Sequence, residues 1–470
     1  MRVFLIQTAR GLFPSSGGYN ANISLLRYLA SCGHSVRQFC YAYRHEVETY
    51  AQMMANSGRP DLRLCRKLLY LRSGEGGPDI CVKVVESVME DGVEFVALET
   101  EAFDEAFGGK EHMYKEIARE TAEYIETGKL SARLYDFTSF LQQEIARFSP
   151  THIISNDGLS MCASSALNLP GLDVRHVAVV HTAEQLPFGP FAGGVPGHAS
   201  SPREDNLLRQ LDGIWSVSNA IKQYALEFGQ LQTSFFVHHP WTYLERQNHE
   251  MPVHLHNWDK RFIAMINPCA VKGLQICIDL AKDCPQYDFL MYKSWGFNVE
   301  IGKQIKALQN ITVRPTCTDM EEALRDIKVL IVPSLWFEAW GIVVVEAHLR
   351  GIPVISSNAG ALSEAMLGLP YIVPVNALDG KRDETGAYVV PEQDIRPWVK
   401  AVNSLMNDKA EYEKLSMKVR DTTEKWLKGL DEAALEKWLM GLVGNTKNHE
   451  VASARAESSA SSWIGQMSLL

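Results

Sequence analysis

The segment Val329–Ile355 constrains the fold of this chain more than any other. A short apolar run ends at Pro333, a loop follows, and a nearly all-apolar stretch then extends over Gly341–Arg350. A helix that is apolar on all sides must be buried, and Gly351 followed by Pro353 is typical of a helix end leading into a strand. Strand, helix and strand in this order predict a parallel sheet covered by helices.

The same alternation occurs in two blocks of the sequence, which predicts two α/β domains with a cleft between them. In the first block we predict strands at Val3–Gln7, Ser35–Tyr41, His152–Ser155, His176–Val180 and Gly213–Ser218, and helices at Asn20–Cys32, Glu111–Glu126, Tyr135–Phe148 and Ala220–Phe228. In the second we predict strands at Phe262–Ile266, Phe289–Tyr292, Val329–Val332 and Pro353–Ser356, and helices at Leu274–Lys282 and Gly341–Arg350. The predicted domains are residues 1–240 and 258–425, joined by a linker at 241–257 and followed by a terminal helix at 426–444 that crosses back and a disordered tail at 445–470.

The composition excludes several classes of protein. Of the 470 residues, 46% are apolar and 22% are charged, as is usual for a globular protein, and the net charge of −10 gives no support for a nucleic-acid partner. No apolar run has the length of a transmembrane helix, and the N-terminus lacks the features of a signal peptide. Nine cysteines without a CxxC pair favour reduced thiols. We therefore expect a cytoplasmic protein.

Two carboxylates flank the start of the apolar helix. Glu338 lies in the loop before it and Glu346 lies inside it. Free N–H groups at a helix start favour a phosphate, the carboxyl end of a parallel strand is where α/β folds bind ligands, and carboxylates accept hydrogen bonds from sugar hydroxyls. The alternatives are that Glu338 is a solvated loop residue and that Glu346 pairs with a nearby arginine.

This string resembles the E-x7-E motif of the retaining glycosyltransferases of family 4, the glycosyl transferases group 1, which have the GT-B fold. The resemblance is clearest over 262–376 and weaker over 1–40, 152–182 and 213–219. It implies two facing Rossmann-like domains and a nucleotide-diphosphate sugar as co-substrate, with no further cofactor. It also implies that Glu338 contacts the transferred sugar and that Glu346 holds the ribose. The backbone amides of Gly341, Ile342 and Val343 match the part that touches the diphosphate.

Other segments fit the same family. Lys272, followed by Gly273, resembles the diphosphate-binding lysine, although Asn267 stands where family members often have an arginine. Gly17 and Gly18 resemble the glycine turn near the diphosphate, and an ordinary turn is the alternative. His181, at a strand end, resembles the histidine that reaches the donor sugar or acceptor, and the alternative is a structural histidine. Gly360 and Glu364 resemble the family's glycine-rich turn and downstream acid, and Glu364 could instead be a first-turn acid of a helix.

A metal site is not expected. The chain contains no Asp-x-Asp sequence, with which transferases of another fold hold a metal. Several histidines lie in or near the linker, which makes zinc conceivable, but no cysteine or carboxylate set accompanies them at ligand spacing. These histidines are His238, His239, His249, His254 and His256.

The function that the resemblance implies is metal-independent transfer of a hexosyl group, with retention, from a nucleotide-diphosphate sugar such as a UDP-sugar to an acceptor that the sequence does not identify. We expect residues 45–148, rich in charged and helix-favouring sequence, and the loop 188–194 to shape the acceptor side. Three alternatives stay open: a nucleotide-sugar epimerase, a phosphorylase on the same fold, and a catalytically inactive protein that binds sugar nucleotides.

Overall fold

The computed structural model describes residues 1–13, 16–56, 64–72, 79–102, 110–167, 173–193, 200–240, 251–317 and 319–442, and for residues 110–115 only the backbone. The predicted tail 445–470, most of the predicted linker (241–250, with His249) and the last residue of the loop 188–194 lie outside the described residues.

The N-terminal half forms a nine-stranded sheet. Its strands are β1 (Arg2–Arg10), β2 (Ser35–Ala42), β3 (Cys65–Leu71), β4 (Ile80–Val88), β5 (Glu94–Glu99), β6 (His152–Ser155), β7 (Arg175–Val180), β8 (Gly213–Ser216) and β9 (Phe235–Val237). Their order in the sheet is β3-β4-β5-β2-β1-β6-β7-β8-β9. All neighbouring pairs are parallel except β3–β4 and β4–β5, which are antiparallel. Residues 3–6 of β1 have no exposed surface, as expected for a central parallel strand.

Helices cover the faces of this sheet. They are α1 (Gly17–Ser31), α2 (Arg44–Asn56), α3 (Lys110–Thr127), α4 (Ala132–Phe148), α5 (Gly158–Ser165), α6 (Pro202–Gln210) and α7 (Asn219–Gly229). The predicted helices in 45–148 are present as α3 and α4, but the same region also contributes β3, β4 and β5, which the sequence analysis missed. In β4, Ile80, Val82 and Val84 are buried while Cys81 and Lys83 are exposed. This alternation is the signal that could have identified the strand.

The C-terminal half forms a six-stranded parallel sheet. Its strands are β10 (Phe262–Ile266), β11 (Asp288–Tyr292), β12 (Ile311–Arg314), β13 (Ile327–Val332), β14 (Val354–Ser357) and β15 (Ile372–Val373), in the order β12-β11-β10-β13-β14-β15. The helices are α8 (Leu274–Asp283), α9 (Val299–Lys306), α10 (Met320–Leu324), α11 (Ile342–Leu349), α12 (Leu362–Ala365), α13 (Arg396–Asn407), α14 (Lys409–Lys428) and α15 (Ala434–Gly441). The nearly all-apolar stretch of the sequence is α11, and Val344, Val345 and Ala347 in it have no exposed surface.

In each sheet the direction in which successive strands are added reverses next to the first strand of that half of the chain, which is β1 in one sheet and β10 in the other. The chain runs outward from β10 to β12 on one side and from β13 to β15 on the other, so β10 and β13 are neighbours without being consecutive. The same holds for β1 and β6 in the first sheet. The loops that leave the carboxyl ends of such strands diverge and open a crevice, which is the usual ligand site of α/β sheets.

Helix α15 returns from the second half to the first sheet. Leu435 and Leu439 are buried in the N-terminal core, and the Trp438 ring stacks on Phe236 with centroids 5.3 Å apart. Glu436 accepts a hydrogen bond from His34 at 2.6 Å. Within the described part of the chain, no helix is long and apolar enough to cross a membrane.

Candidate active site

The crevice of the second sheet brings together the two loops that carry Lys272 and Glu338. Lys272 follows β10 in a single 3-10 turn and Glu338 follows β13. Lys272 Nζ donates to Glu338 Oε1 at 2.5 Å, and both side chains are about four-fifths buried, with 21% and 17% of their surface exposed. The Lys272 ammonium also lies 5.6 Å from the centre of the Trp336 ring. Strand order therefore explains how residues 66 positions apart come to form one ion pair.

Two glycines hold these loops in contact. Gly273 has a φ of +81°, and a Cβ there would lie 2.0 Å from the carbonyl oxygen of Pro333. Gly360 has a φ of +57°, and a Cβ there would lie 2.3 Å from the carbonyl oxygen of Glu338. That same carbonyl accepts a hydrogen bond from the N–H of Ala361 at 2.7 Å. Only glycine tolerates both the backbone conformation and the close approach, so both glycines fix the position of the ion pair.

The amino end of α11 lies beside the ion pair and faces the first domain. Gly341, with a φ of +119°, precedes the helix, and no side chain caps the helix start. Across the cleft, a Cβ on Gly17 would lie only 2.4 Å from Cδ1 of Ile342. Gly341, Ile342 and Val343 are all partly exposed. An uncapped helix start carries free N–H donors and a partial positive charge, which suit an anionic ligand.

Gly17 and Gly18 are the first two residues of α1 and do not form the turn before it, which corrects the sequence-based interpretation. Ser16 caps the helix by accepting from the N–H of Tyr19 at 3.3 Å. A Cβ on Gly18 would lie 2.8 Å from Cγ of His181. The glycines are therefore needed for close approach, to Ile342 on one side and to His181 on the other.

His181 follows β7 and belongs to a hydrogen-bonded amide network. Its Nε2 lies 2.8 Å from Oδ1 of Asn22, and the Asn22 amide nitrogen donates to Gln7 and Asn156 at 2.8 Å each. Because that nitrogen is the donor, Oδ1 accepts, and the proton of the imidazole is on Nε2. Burial lowers the pKa of His181 to about 3, so the ring is neutral near pH 7, with Nδ1 as an acceptor.

Glu346 forms an ion pair with Arg350, which is the alternative that the sequence analysis gave for this residue. Its Oε2 lies 2.5 Å from Nη1 of Arg350, one turn later on the same chain, and Arg350 also contacts Glu321 at 3.0 Å. Arg350 has no exposed side-chain surface, whereas Glu346 is 14% exposed. The second oxygen of Glu346 has no hydrogen bond to the described residues, so pairing with Arg350 leaves one acceptor on this carboxylate.

Two further residues from the sequence analysis have structural partners. Asn267 is buried in a left-handed conformation with a φ of +59°, and its Oδ1 accepts from the N–H of Gly296 at 3.0 Å. An arginine at this position would lose that bond. Glu364 accepts hydrogen bonds from the backbone N–H groups of Asn219 and Ala220 at 3.0 and 3.3 Å. It therefore caps the start of α7 in the other domain.

The described histidines near the linker contact aromatic rings and a backbone carbonyl. The His239 ring stacks on the Trp340 ring, with centroids 3.9 Å apart. The rings of His254 and His256 lie 3.8 Å apart between centroids and are tilted by 34°. His238 Nδ1 lies 2.9 Å from the carbonyl oxygen of His239. Among the described residues, no group of three or more His, Cys, Asp or Glu side chains could hold a metal ion.

Glu184 is a residue of this cleft that the sequence analysis missed. It lies in the single turn Ala183–Gln185, three positions after His181, and has no exposed surface. Burial raises its pKa to about 7, the charge of Lys272 lowers it and that of Glu338 raises it. The only sequence feature that could have identified Glu184 is that it is an acid just after a strand end. Such acids are common, so this feature alone does not predict a functional residue.

Comparison with known proteins adds to this geometry. Residues 272–422 match the family model for Glycosyl transferases group 1, whereas no curated protein matches the sequence. Sucrose-phosphate synthase from Thermosynechococcus elongatus is similar in structure, with a TM-score of 0.60 and 16% identity over 96% of this chain and 99% of that chain. This chain has the GT-B fold. The prediction of two facing Rossmann-like domains is thereby confirmed.

Other GT-B structures align over nearly their whole length. S. aureus TarM, solved with Fondaparinux, alpha-GlcNAc-glycerol and UDP, has a TM-score of 0.56 and 12% identity over 93% of this chain and 99% of that chain. Anabaena HepE, solved with UDP-glucose, has the same TM-score and identity over 97% of this chain and 100% of that chain. At these identities the likeness establishes the fold, while the family match indicates the enzyme class, glycosyltransferase.

Proposed function

We propose that this protein is a retaining, metal-independent glycosyltransferase that moves a hexosyl group from a UDP-sugar to a hydroxyl-bearing acceptor. The observation that carries the proposal is the Lys272–Glu338 pair beside the uncapped start of α11, with Gly17 in contact with Ile342 from the other domain. One cation, free N–H donors and a carboxylate in one cleft suit a diphosphate joined to a sugar.

In this proposal the start of α11 and Lys272 bind the donor diphosphate and stabilise the charge that it gains as the glycosidic bond breaks. Glu338 holds the hydroxyls of the transferred sugar, and Glu346 uses its second oxygen for the ribose. The acceptor oxygen forms the new bond on the face that the diphosphate leaves, and its proton passes to a phosphate oxygen. Neutral His181 presents Nδ1 as an acceptor next to Gly18.

The choice of uridine is supported by the similar structures that were solved with UDP or UDP-glucose. The N-terminal domain would supply the acceptor side, because most of the proposed donor contacts come from the second half. A metal is not required in this scheme, since the cation and the helix start together offset the diphosphate charge.

The test is a donor panel of UDP-glucose, UDP-N-acetylglucosamine, ADP-glucose and GDP-mannose, read as released nucleotide, with NMR of the first sugar product. We expect slow hydrolysis of at least one donor, fastest with a UDP-sugar, and release of the same anomer. Sugar phosphate released only with added phosphate would indicate a phosphorylase instead. Nucleotide binding without turnover would indicate an inactive binding protein, and an inverted product would exclude retention.

A further inference from the structure

The buried acid Glu184 has unmet hydrogen-bonding capacity. Its side chain is completely buried, and neither carboxyl oxygen has a hydrogen-bond partner among the described residues. The hydroxyl of Thr182 and the backbone N–H of Glu184 itself lower its pKa, but neither makes a well-formed hydrogen bond to it. Because an unpartnered buried acid costs free energy, its presence at this position calls for a partner that the described residues do not provide.

The surroundings of Glu184 place that partner in the cleft between the domains. Glu184 belongs to the first domain, yet the charges of Lys272 and Glu338 in the second act on it. Burial raises the pKa of Tyr224 of the first domain and of Tyr388 of the second, and the charge of Glu184 raises both further. The turn of Glu184 begins two residues after His181, whose ring lies against Gly18, next to the Gly17 that meets Ile342, so Glu184 lies in the first domain near the proposed donor site.

The same part of the cleft has aromatic walls from both domains. Tyr224 lies 5.3 Å from Phe337, measured between ring centroids. Tyr388 lies 6.0 Å from Phe191 and 5.7 Å from Trp336. Aromatic faces with a few buried carboxyl groups between them are suited to a sugar ring, whose C–H faces pack on aromatics while its hydroxyls need hydrogen-bond partners.

We propose that Glu184 is a substrate-binding residue that hydrogen-bonds a hydroxyl of the transferred sugar from the side opposite Glu338. The transferred sugar is favoured over the acceptor because it is the group joined to the diphosphate, and Glu184 is close to both the phosphate-binding Lys272 and the sugar-binding Glu338. This proposal rests on the proposed glycosyltransferase function. It assigns to the first domain a contact with the donor sugar itself.

The experiment compares the binding of UDP and of UDP-glucose by isothermal titration calorimetry in the wild-type protein and in Glu184→Ala and Glu184→Gln. If another sugar nucleotide was the best donor in the panel, it and its nucleotide are used instead. We expect the Kd of the nucleotide to change less than twofold. The Kd of the sugar nucleotide should rise about fivefold to twentyfold in Glu184→Ala, since one sugar hydrogen bond is lost, and by less in Glu184→Gln.

Glu204→Gln is the matched control. Glu204 is a second acid with only 1% of its surface exposed, and burial together with the charge of Asp157 raises its pKa to about 8. We expect this variant to bind both ligands as the wild type does. Thermal melting checks that each variant is folded, and if Glu184→Ala does not fold, the ratio of the two Kd values in Glu184→Gln decides.

Three outcomes separate the possibilities. Kd values for both ligands equal to those of the wild type would overturn the assignment of Glu184. An equal loss of both ligands would also overturn it, because the residue would then shape the cleft without touching the sugar. If the wild-type protein binds no nucleotide and no sugar nucleotide from the panel, the proposed function itself fails, whatever the variants do.

Discussion

At the residue scale, the ion pair of Lys272 and Glu338 couples two proposed roles. Lys272 is proposed to bind the donor phosphate and Glu338 the transferred sugar, and the two side chains also bind each other. The pair is mostly buried, so removal of either partner leaves the other charge poorly compensated. Asn267 adds no charge here, because an amide is neutral, and its Oδ1 accepts a hydrogen bond from the N–H of Gly296.

Lys272→Ala should lower kcat/KM for donor hydrolysis about tenfold to a hundredfold, since a charge-assisted contact is worth about 1.5–3 kcal/mol. The measurement is the initial rate of nucleotide release as a function of donor concentration. The control is Lys282→Ala, which removes a lysine on α8 that is 53% exposed and should leave the rate unchanged. A loss below about twofold in Lys272→Ala would mean that the phosphate is held elsewhere.

The same scheme predicts the response to chelation. Lys272 and the start of α11 would take the role that a divalent cation has in other transferases, so activity should persist in EDTA. The assay is donor hydrolysis with and without EDTA, followed by addition of magnesium or manganese. Complete loss that either ion restores would contradict the metal-independent site.

A third residue gives a prediction about pH. His348 on α11 is fully buried, neither ring nitrogen has a hydrogen-bond partner among the described residues, and burial lowers its pKa to about 3. Below the unfolded-state pKa of about 6.5 the unfolded chain binds a proton that the folded protein does not, so stability falls as the pH falls.

His348→Met should therefore raise the free energy of unfolding, and by about 2 kcal/mol more at pH 5 than at pH 7. Denaturant unfolding at both pH values measures the difference. His45→Met, at an exposed position, is the control and should show much less pH dependence. An equal effect of His348→Met at both pH values would show that the ring gains its proton in the folded protein as readily as in the unfolded chain.

At the scale of elements, the loops after β10 and β13 and the turn before α12 form one unit around the backbone of Glu338. Gly360 is the contact between the turn and the loop, where a Cβ would lie 2.3 and 2.5 Å from two backbone atoms of Glu338. A flexible side chain could rotate away from a new Cβ, but these backbone atoms cannot. The Glu338 loop therefore has to move if Gly360 is replaced.

Gly360→Ala should reduce kcat more than tenfold while the protein remains folded. Gly368→Ala is a closely matched control, because Gly368 has a φ of +75° but nothing lies within 4 Å of a Cβ there. Both variants carry the strain of a left-handed alanine, about 1–2 kcal/mol, and only the first displaces Glu338. Equal kcat values for the two variants, together with equal melting temperatures, would show that the Gly360 contact does not position the site.

At the scale of the whole molecule, a few contacts hold the two domains together on both sides of the site. Glu364 of the second domain caps α7 of the first, and His239 of the first stacks on Trp340 of the second. A Cβ on Gly380 would lie 2.0 Å from the carbonyl oxygen of Pro190, which is a third contact. These contacts hold the first domain where Gly17 meets Ile342 and Gly18 meets His181 beside the proposed donor site, so we expect them to affect activity without touching substrate.

Glu364→Ala should open the cleft, since it removes the acceptor for the N–H groups at the start of α7. We expect a larger radius of gyration in small-angle X-ray scattering and a kcat about tenfold lower, with UDP affinity nearly unchanged because the proposed UDP contacts lie in the second domain. Glu384→Ala removes an exposed loop carboxylate and serves as control. An unchanged radius together with an unchanged kcat would show that Glu364 does not hold the domains closed.

The sequence by itself determined the elements whose pattern is local. Strands His152–Ser155 and Phe262–Ile266 were predicted with their observed bounds, and the apolar run of α11 required a buried helix. The residues Lys272, Glu338, Gly17 and His181 were also identified from short motifs, and the structure brings them into one cleft. Whether each has its proposed role stays a prediction.

Only the tertiary structure decided which distant residues meet. The strands β3 to β5 were missed because their alternating pattern lies within a charged region, and they join the sheet only through the pairing of β5 with the distant β2. The cap that Glu364 provides for α7 joins residues 145 positions apart. The charges of Lys272 and Glu338, from the other half of the chain, act on Glu184. Such contacts arise from strand order and domain closure, which are set by packing across the whole chain and leave no signal in the neighbouring sequence.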